Sequence, residues 1–379
     1  MKTLKDMDVK GKKVLVRADF NVVGDNSKII ASLPTINYLL DKDCRVILMS
    51  HLGRPKGKVV EEFRLDDVAQ RLSRLLGKSV LKLNQTVGSE VSASVENMQA
   101  GDVVLLENVQ FNPGEKGRYS VFAKQLAELA DIFVLDAFGQ AHRDYASLTM
   151  IQEHLPSCAG LLLEREVKSL SSLLENPKHP FVAVLGGAKV SDKVKLIESL
   201  LEKVDKLLIG GAMAFTLLRA KNISVGKSLV EEDFDASKLL ESKKIVLQKD
   251  AVITQSFDEN AEKKTVPIES IEEDWMGLDI GPQTIELFKK ELEEAKTVVW
   301  NGPMGVFEFD RFAEGTTEMA KCISTLDAMT VIGGGDTLAA AKKAHVSGKF
   351  THISTGGGAM LEFLQGKKLP ALEALEQAN

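Results

Sequence analysis

The chain has 379 residues, 44% hydrophobic and 27% charged, and its 48 basic and 54 acidic side chains give a formal net charge of −6. That length allows two domains that each bury a core, and the slight acidic excess gives no general attraction to nucleic acid or to a membrane surface. Cys44, Cys158 and Cys322 show neither CxxC spacing nor an even count, which excludes a disulfide framework or zinc site; with no apolar signal core and no membrane-length apolar run, a cytoplasmic protein is expected.

Strand-like runs alternate with helical patterns nearly throughout. The first half offers strands at Lys13–Arg17, Arg45–Ser50, Val103–Leu106 and Ile132–Leu135, with helices at Pro34–Lys42, Leu65–Leu76 and Val121–Ala130. Leu161–Leu174 reads as one helix, and Asn176-Pro-Lys-His-Pro180 cannot continue it. Beyond it come strands at Phe181–Leu185, Lys206–Ile209, Val298–Trp300, Met329–Ile332 and His352–Ser354, with helices at Val190–Glu202, Gln283–Ala295, Gly315–Thr325 and Leu338–Ala344. Short Val/Ile/Leu-rich strands alternating with helices predict parallel sheets covered on both faces. The economical reading is an α/β chain of two doubly wound domains joined by a helix.

Chemistry-bearing residues follow the strands. In the first half these are Arg17-Ala-Asp-Phe-Asn21, Ser50-His-Leu-Gly-Arg-Pro55, Glu107-Asn-Val-Gln-Phe111 and Asp136-Ala-Phe-Gly-Gln-Ala-His-Arg143. Ligands of open α/β sheets bind beyond strand carboxyl ends, so His51, Arg54, His142 and Arg143 would converge into a pocket for a small anion, with Asp19 and Asn21 orienting it. Arg17 reads better as a structural ion-pair partner, and His142 equally well as a packed histidine.

The second half is marked by glycine turns. Val331-Ile-Gly-Gly-Gly-Asp-Thr337 joins a strand to a helix, and similar turns recur at His352–Ala359, Phe181–Val190 and Leu207–Met213. Glycine admits close approach to backbone N–H groups, and a helix start favours anions. An aspartate there, Asp336, points to a divalent cation shared with phosphate oxygens, hence a magnesium-bound nucleotide. Lys189 and Lys193, four residues apart, are expected on one helix face, both reaching a polyphosphate.

These segments carry a resemblance. VLVRADFN, MSHLGRP, LDAFGQAHR, LGGAKVSDK, WMGLDIGPQT, WNGPMGVFEF, IGGGDT and STGGGA resemble, in order, the signature segments of the phosphoglycerate kinases, spanning almost the whole chain. The resemblance implies two Rossmann-like domains and reversible phosphoryl transfer between 1,3-bisphosphoglycerate and ADP, giving 3-phosphoglycerate and ATP with Mg2+. The implied division is 1–160 for phosphoglycerate, 161–180 as inter-domain helix and hinge, 181–365 for magnesium nucleotide, and 366–379 as a tail packing back on the first domain. Asp19, Phe20, Asn21, Lys28, His51, Leu52, Gly53, Arg54, Gln110 and Arg143 fall at the family's substrate positions. Ala188, Lys189, Lys193, Gly210, Gly211, Gly277, Glu308, Gly334, Gly335, Asp336 and Thr337 fall at its nucleotide positions, with Asp336 on the metal. Lys28, Lys189, Gly335 and Gly357 would be catalytic, with the Gly356–Gly358 turn offering backbone N–H groups to the moving phosphoryl group. A monomer acting on small molecules alone is implied.

Three positions depart from the family pattern. Val23 stands where the family has proline, and Lys28 and Gln110 where it has arginines. Lysine keeps the charge without the planar fork, and glutamine loses both, so a homologue with weakened or lost transferase activity is the alternative expectation. Other classes fit less well. Gly226-Lys-Ser228 lacks the first P-loop glycine, since position 221 is Lys221, and Leu338 occupies the third glycine position of a dinucleotide fingerprint. A two-lobed solute-binding protein would leave Asp336 and the lysine pair unexplained.

Overall fold

A computed structural model describes residues 1–21 and 24–378; Val23, one of the three departures, lies outside them. The chain forms two compact units, one of Met1–Lys168 with Lys367–Asn379, the other of Ser169–Gly366. The helix Leu161–Glu175 runs through the boundary between them.

The first unit is built on β1 (Lys13–Ala18), β2 (Arg45–Met49), β3 (Leu81–Lys82), β4 (Val103–Leu105), β5 (Ile132–Asp136) and β6 (Ser157–Ala159), in the order β3-β4-β2-β1-β5-β6. Every pairing is parallel. Val14, Val16, Val46, Leu48 and Val134 are wholly buried because helices cover the sheet, as parallel strands require. The helix expected at Pro34–Lys42 instead covers Ser27–Leu40, with Pro34 inside it. An Asx turn leads into it, the Asp25 carboxylate accepting from the Ser27 backbone N–H and hydroxyl at 2.8 and 2.7 Å, and the helix begins about two turns before the proline. Lys28 therefore belongs to a first helical turn. The helix Pro370–Gln377 belongs to this unit: Ala371, Leu372 and Leu375 are buried, and Gln152 Nε2 donates to the Ala371 carbonyl at 3.0 Å.

The second unit holds β7 (Phe181–Leu185), β8 (Lys206–Ile209), β9 (Ile245–Leu247), β10 (Asp250–Thr254), β11 (Lys264–Pro267), β12 (Met276–Ile280), β13 (Thr297–Asn301), β14 (Met329–Gly333) and β15 (His352–Ser354). Six of them make a parallel sheet in the order β15-β14-β13-β7-β8-β9. The other three form an antiparallel sheet, β11-β10-β12. Sequence reasoning did not anticipate it, because β11 alternates half-buried and exposed residues and carries no apolar run. Trp300, Phe288, Met304 and Met319 pack in the core between the large sheet and its helices.

Candidate active site

In the first unit the loops after β1 and β2 interlock. The Phe20 N–H donates to Ser50 Oγ at 2.8 Å, and the Gly53 N–H to Asn21 Oδ1 at 2.9 Å. Gly53 has φ +63°, and a Cβ there would sit 2.5 Å from the Phe63 ring, so only glycine fits. Asp19 is buried and accepts from Lys28 Nζ at 2.8 Å. Burial pushes its pKa up, but the Lys28 charge and the hydrogen bonds from Lys28 and the Asn21 N–H outweigh that and hold it below the usual carboxylate value. His51 lies beside it with Nδ1 buried and unpartnered; burial drives its pKa down to about 3 despite Asp19. The ring is neutral at physiological pH. Leu52 is half-buried against the core.

Gln110 is buried in the turn Val109–Phe111, with its Oε1 lacking a hydrogen-bond partner. Past the carboxyl ends of the neighbouring strands β2 and β4, two buried polar atoms thus lack a protein partner. Arg54 and Arg143 are exposed, and neither guanidinium makes an ion pair within the described residues. His142 is half-buried. Arg17 is wholly buried, but its partner is not a carboxylate directly: Nε donates to Ser147 Oγ at 2.9 Å, and that hydroxyl donates to Glu115 at 2.7 Å. The expected ion pair is relayed through a serine.

In the second unit the glycine turns lie against one another. A Cβ on Gly302 would meet the Gly186 carbonyl at 2.2 Å, and one on Gly186 the Pro303 carbonyl at 1.9 Å. Gly211, at φ +68°, would place one 2.9 Å from the Gly187 nitrogen, and Gly357 one 2.9 Å from the Gly334 Cα. Gly210 is closed by Met304, and Gly277 by Phe215. Much of the glycine pattern therefore serves backbone-to-backbone packing at the strand ends. Gly335 differs: a Cβ there meets nothing within 4 Å.

The helix after β14 begins at Gly335, earlier than expected, because Gly334 at φ +101° turns the chain so that Leu338 N–H already reaches the Gly334 carbonyl. Asn301 Nδ2 donates to the Gly333 carbonyl at 2.6 Å, and Thr337 Oγ1 accepts from the Gly302 N–H at 2.7 Å. Asn301 was not singled out from the sequence; its place in WNGPMG was the available signal. The exposed Asp336 stands in the first turn of that helix.

The lysine pair is not as expected. The helix starts at Val194, so Lys189 lies on the preceding loop and Lys193 caps the helix, and the two share no helical face. Two glycines and a turn at Ser191–Lys193 delay the helix that the apolar stripe suggests. Lys193 Nζ turns inward to the carbonyls of Gly186 at 2.6 Å and Asn301 at 3.3 Å. Burial lowers its pKa to about 8, against Asp336 and Asp192, which favour the charge. Lys189 is exposed.

A cavity of about 690 Å3 opens beside these loops, lined among others by Ala188, Gly211, Gly277, Glu308 and Asp336. Phe215, Leu278, Met304 and Val306 give it flat apolar walls, suited to a planar ring system with a polar, glycine-lined end. Asp279 is buried beneath it, accepting from Gly315 N–H at 2.7 Å, and burial raises its pKa to about 8. Among the described residues no cluster of three or more His, Cys, Asp or Glu could hold a metal by itself. One exposed carboxylate in the lining of that cavity, Asp336, fits the donor set of Mg2+, which takes one or two carboxylates plus phosphate and water oxygens.

Fold and loops together define a class, an α/β protein of two units, each on a six-stranded parallel sheet with its polar and glycine-rich loops at the strand carboxyl ends. The comparisons give the family: the phosphoglycerate kinase model matches residues 4–367. The phosphoglycerate kinase of Pelotomaculum thermopropionicum is 55% identical, covering 99% of this chain and 98% of its own, and that of Moorella thermoacetica 52%, with 99% of each covered. Among solved structures, the Coxiella burnetii phosphoglycerate kinase superposes with TM-score 0.88 at 39% identity, over 99% of this chain and 98% of that one. The Pyrococcus horikoshii enzyme gives 0.86 at 32%, over 100% and 99%. The chain belongs to the phosphoglycerate kinase family. It is a phosphotransferase of glycolysis, reversible in direction. The alternative of a homologue that has lost its activity finds no support in these likenesses. No helix among the described residues is long and apolar enough to cross a membrane.

Proposed function

We propose that the second unit binds Mg–ADP or Mg–ATP at the glycine turns and that the first binds 3-phosphoglycerate or 1,3-bisphosphoglycerate at the loops after β1, β2, β4 and β5. The observation that carries this reading is the 690 Å3 largely apolar cavity with Asp336 in its lining, the residue that directly follows the Gly334–Gly335 turn. The base lies between the Gly210–Gly211 and Gly277 sides, and the ribose hydroxyls donate to Glu308. The polyphosphate takes the inward ammonium of Lys193 and the free N–H groups where the helix begins at Gly335. Asp336, with Thr337 beside it, would hold Mg2+, and the ion would supply neutralisation of charge on the phosphate oxygens.

In the first unit, Arg54 and Arg143 supply forked charge for the phosphoglycerate, while Asp19, Phe20, Asn21, His51, Leu52 and Gly53 shape and orient the site. Neutral His51 offers a hydrogen bond without a second cation. Gln110 does the same through its amide. Transfer needs no covalent enzyme intermediate: the carboxylate of 3-phosphoglycerate and the terminal ADP oxygen exchange the phosphoryl group in line. Lys28, Lys189 and the Gly356–Gly358 turn, with Gly357, stabilise charge on its equatorial oxygens. Water must be excluded, so closure of the two units, with 161–180 as the hinge region, belongs to the proposal. The enzyme is read as a cytoplasmic monomer acting on small molecules, without nucleic acid or membrane partners.

A coupled assay following ATP formation from 1,3-bisphosphoglycerate and ADP tests this. Turnover that collapses on chelating Mg2+ and returns on its addition is the expected result; turnover indifferent to Mg2+ would remove Asp336 from its role.

A further inference from the structure

The exposed Lys189 needs an anchor that the loop's own sequence does not provide. It follows β7 by four residues, outside both the sheet ladder and the helix that starts at Val194. The loop's leading end is tied by Gly186 N–H to the Asn301 carbonyl at 3.0 Å, and by Met213 N–H to the Gly187 carbonyl at 3.1 Å. Its trailing end is held from elsewhere in the chain. Glu231 Oε2 accepts from the Val190 N–H at 2.6 Å and the Ser191 N–H at 3.0 Å, while Oε1 takes the Ser191 hydroxyl. Glu231 is itself fixed by its N–H on Thr216 Oγ1 at 3.1 Å, within the buried face of the helix Ala212–Ala220.

We infer that Glu231 is a positioning residue for the phosphoryl-transfer step, clamping the loop so that the Lys189 ammonium is held toward the transferring group. The geometry favours positioning over pairing. Lys189 feels the carboxylate's charge, yet no ion pair within 4 Å joins them, so Glu231 directs its oxygens to loop donors and leaves the ammonium for the substrate. Burial pushes the Glu231 pKa up, but those hydrogen bonds and the Lys189 charge hold it below the ordinary value, and the clamp is ionised at neutral pH. The segment before Glu231 also reaches the cavity's far wall. Ser228 Oγ accepts from the Gly277 N–H at 2.9 Å, and Lys227 and Leu229 line the cavity. One short strap thus joins the base-side wall to the Lys189 loop.

This inference rests on the catalytic reading of Lys189, and a double-mutant cycle separates the two. Turnover, Mg–ADP dissociation constant and unfolding midpoint are measured for Glu231→Gln, Lys189→Ala and the double variant. Misplacing a catalytic group by about 1 Å costs roughly 100-fold, so Glu231→Gln is expected to lower kcat about 10- to 100-fold with the dissociation constant within about threefold. In the Lys189→Ala background the same change should lower kcat by less than about twofold, because there is no ammonium left to aim. If Glu231→Gln does not fold, Ser191→Ala removes one bond of the clamp and should show a smaller loss, again silent without Lys189. Losses that multiply independently in the double variant would overturn the positioning role and leave Lys189 standing. An unimpaired kcat in Lys189→Ala would overturn both.

Discussion

Gly335→Ala distinguishes the space a ligand needs from the space the protein needs. Gly335 is exposed, opens the helix Gly335–Lys343, and has no atom within 4 Å of an added Cβ. Alanine costs nothing sterically in the free protein, and its better helix propensity adds at most about 1 kcal/mol of stability. If a nucleotide phosphate lies against the N–H groups of this turn, however, the new methyl occupies its place. Displacing one charge-assisted hydrogen bond costs about 1.5–3 kcal/mol, or roughly 10- to 150-fold in the Mg–ADP dissociation constant. Gly357→Ala is the converse. Its Cβ would meet Gly334 backbone at 2.9 and 3.3 Å, and backbone yields poorly, so a loss of about 1–3 kcal/mol is expected, lowering the midpoint by about 2–4 °C per kcal/mol. Calorimetric titration and thermal unfolding on the same samples give both readouts. A Gly335→Ala dissociation constant within twofold of the parent, with stability intact, would refute the placement of phosphate at this turn.

Asp336→Asn should weaken Mg–ADP binding at least about tenfold and leave 3-phosphoglycerate affinity unchanged, since a charged metal ligand becomes neutral; equal losses by calorimetry would contradict separate sites. Lys193 should make stability rise with pH. Its folded pKa near 8 lies below the unfolded 10.5, so the unfolded chain binds more protons between those values and unfolding becomes harder across that window by about 3 kcal/mol. Denaturant midpoints at pH 7.5 and 10 should show that gain in the parent and lose it in Lys193→Met. Lys28→Met strands the buried Asp19 carboxylate and should cost about 3 kcal/mol at neutral pH. Because Asp19 is held below its unfolded value of 3.8 chiefly by Lys28, that cost should vanish as pH falls through the acid range; a cost unchanged at pH 3 would show that the pair is not its source.

Regular elements buried on both faces were legible in the sequence. Phe181–Leu185, Lys206–Ile209 and His352–Ser354 have the expected ends, because an uninterrupted apolar run between polar flanks has few other uses. The antiparallel sheet was not legible: β11 alternates half-buried and exposed residues, β12 is interrupted by Gly277 and Asp279, and the fully buried β10 offers only Ala251-Val-Ile253 between polar residues. For the candidate site, residue types and order were readable while directions were not. Spacing put Lys189 and Lys193 on one face, but the Val190 and Ser191 N–H groups donate to Glu231 and the Lys193 ammonium donates to the Gly186 and Asn301 carbonyls, which keeps that segment out of the helix. The Asp19–Lys28 pair was hidden for a similar reason: the helix begins upstream of Pro34, where propensity alone gives no start. Glu231 lies some 40 residues from the loop it clamps, a separation that only the tertiary fold closes.

The helix Pro370–Gln377 has a consequence for the order of folding. It completes the packing of the first unit, yet the ribosome makes it only after all of residues 169–366. The amino-terminal sheet can pair its six strands early in synthesis, but the surfaces under Ala371, Leu372 and Leu375 stay uncovered while the second unit is translated. At roughly 5–20 residues per second that interval lasts about 10–40 seconds, long compared with the folding of most domains. The nascent first unit therefore waits with an apolar patch and an unmatched Gln152 donor, and the helix Pro370–Gln377 acts as its closing clasp.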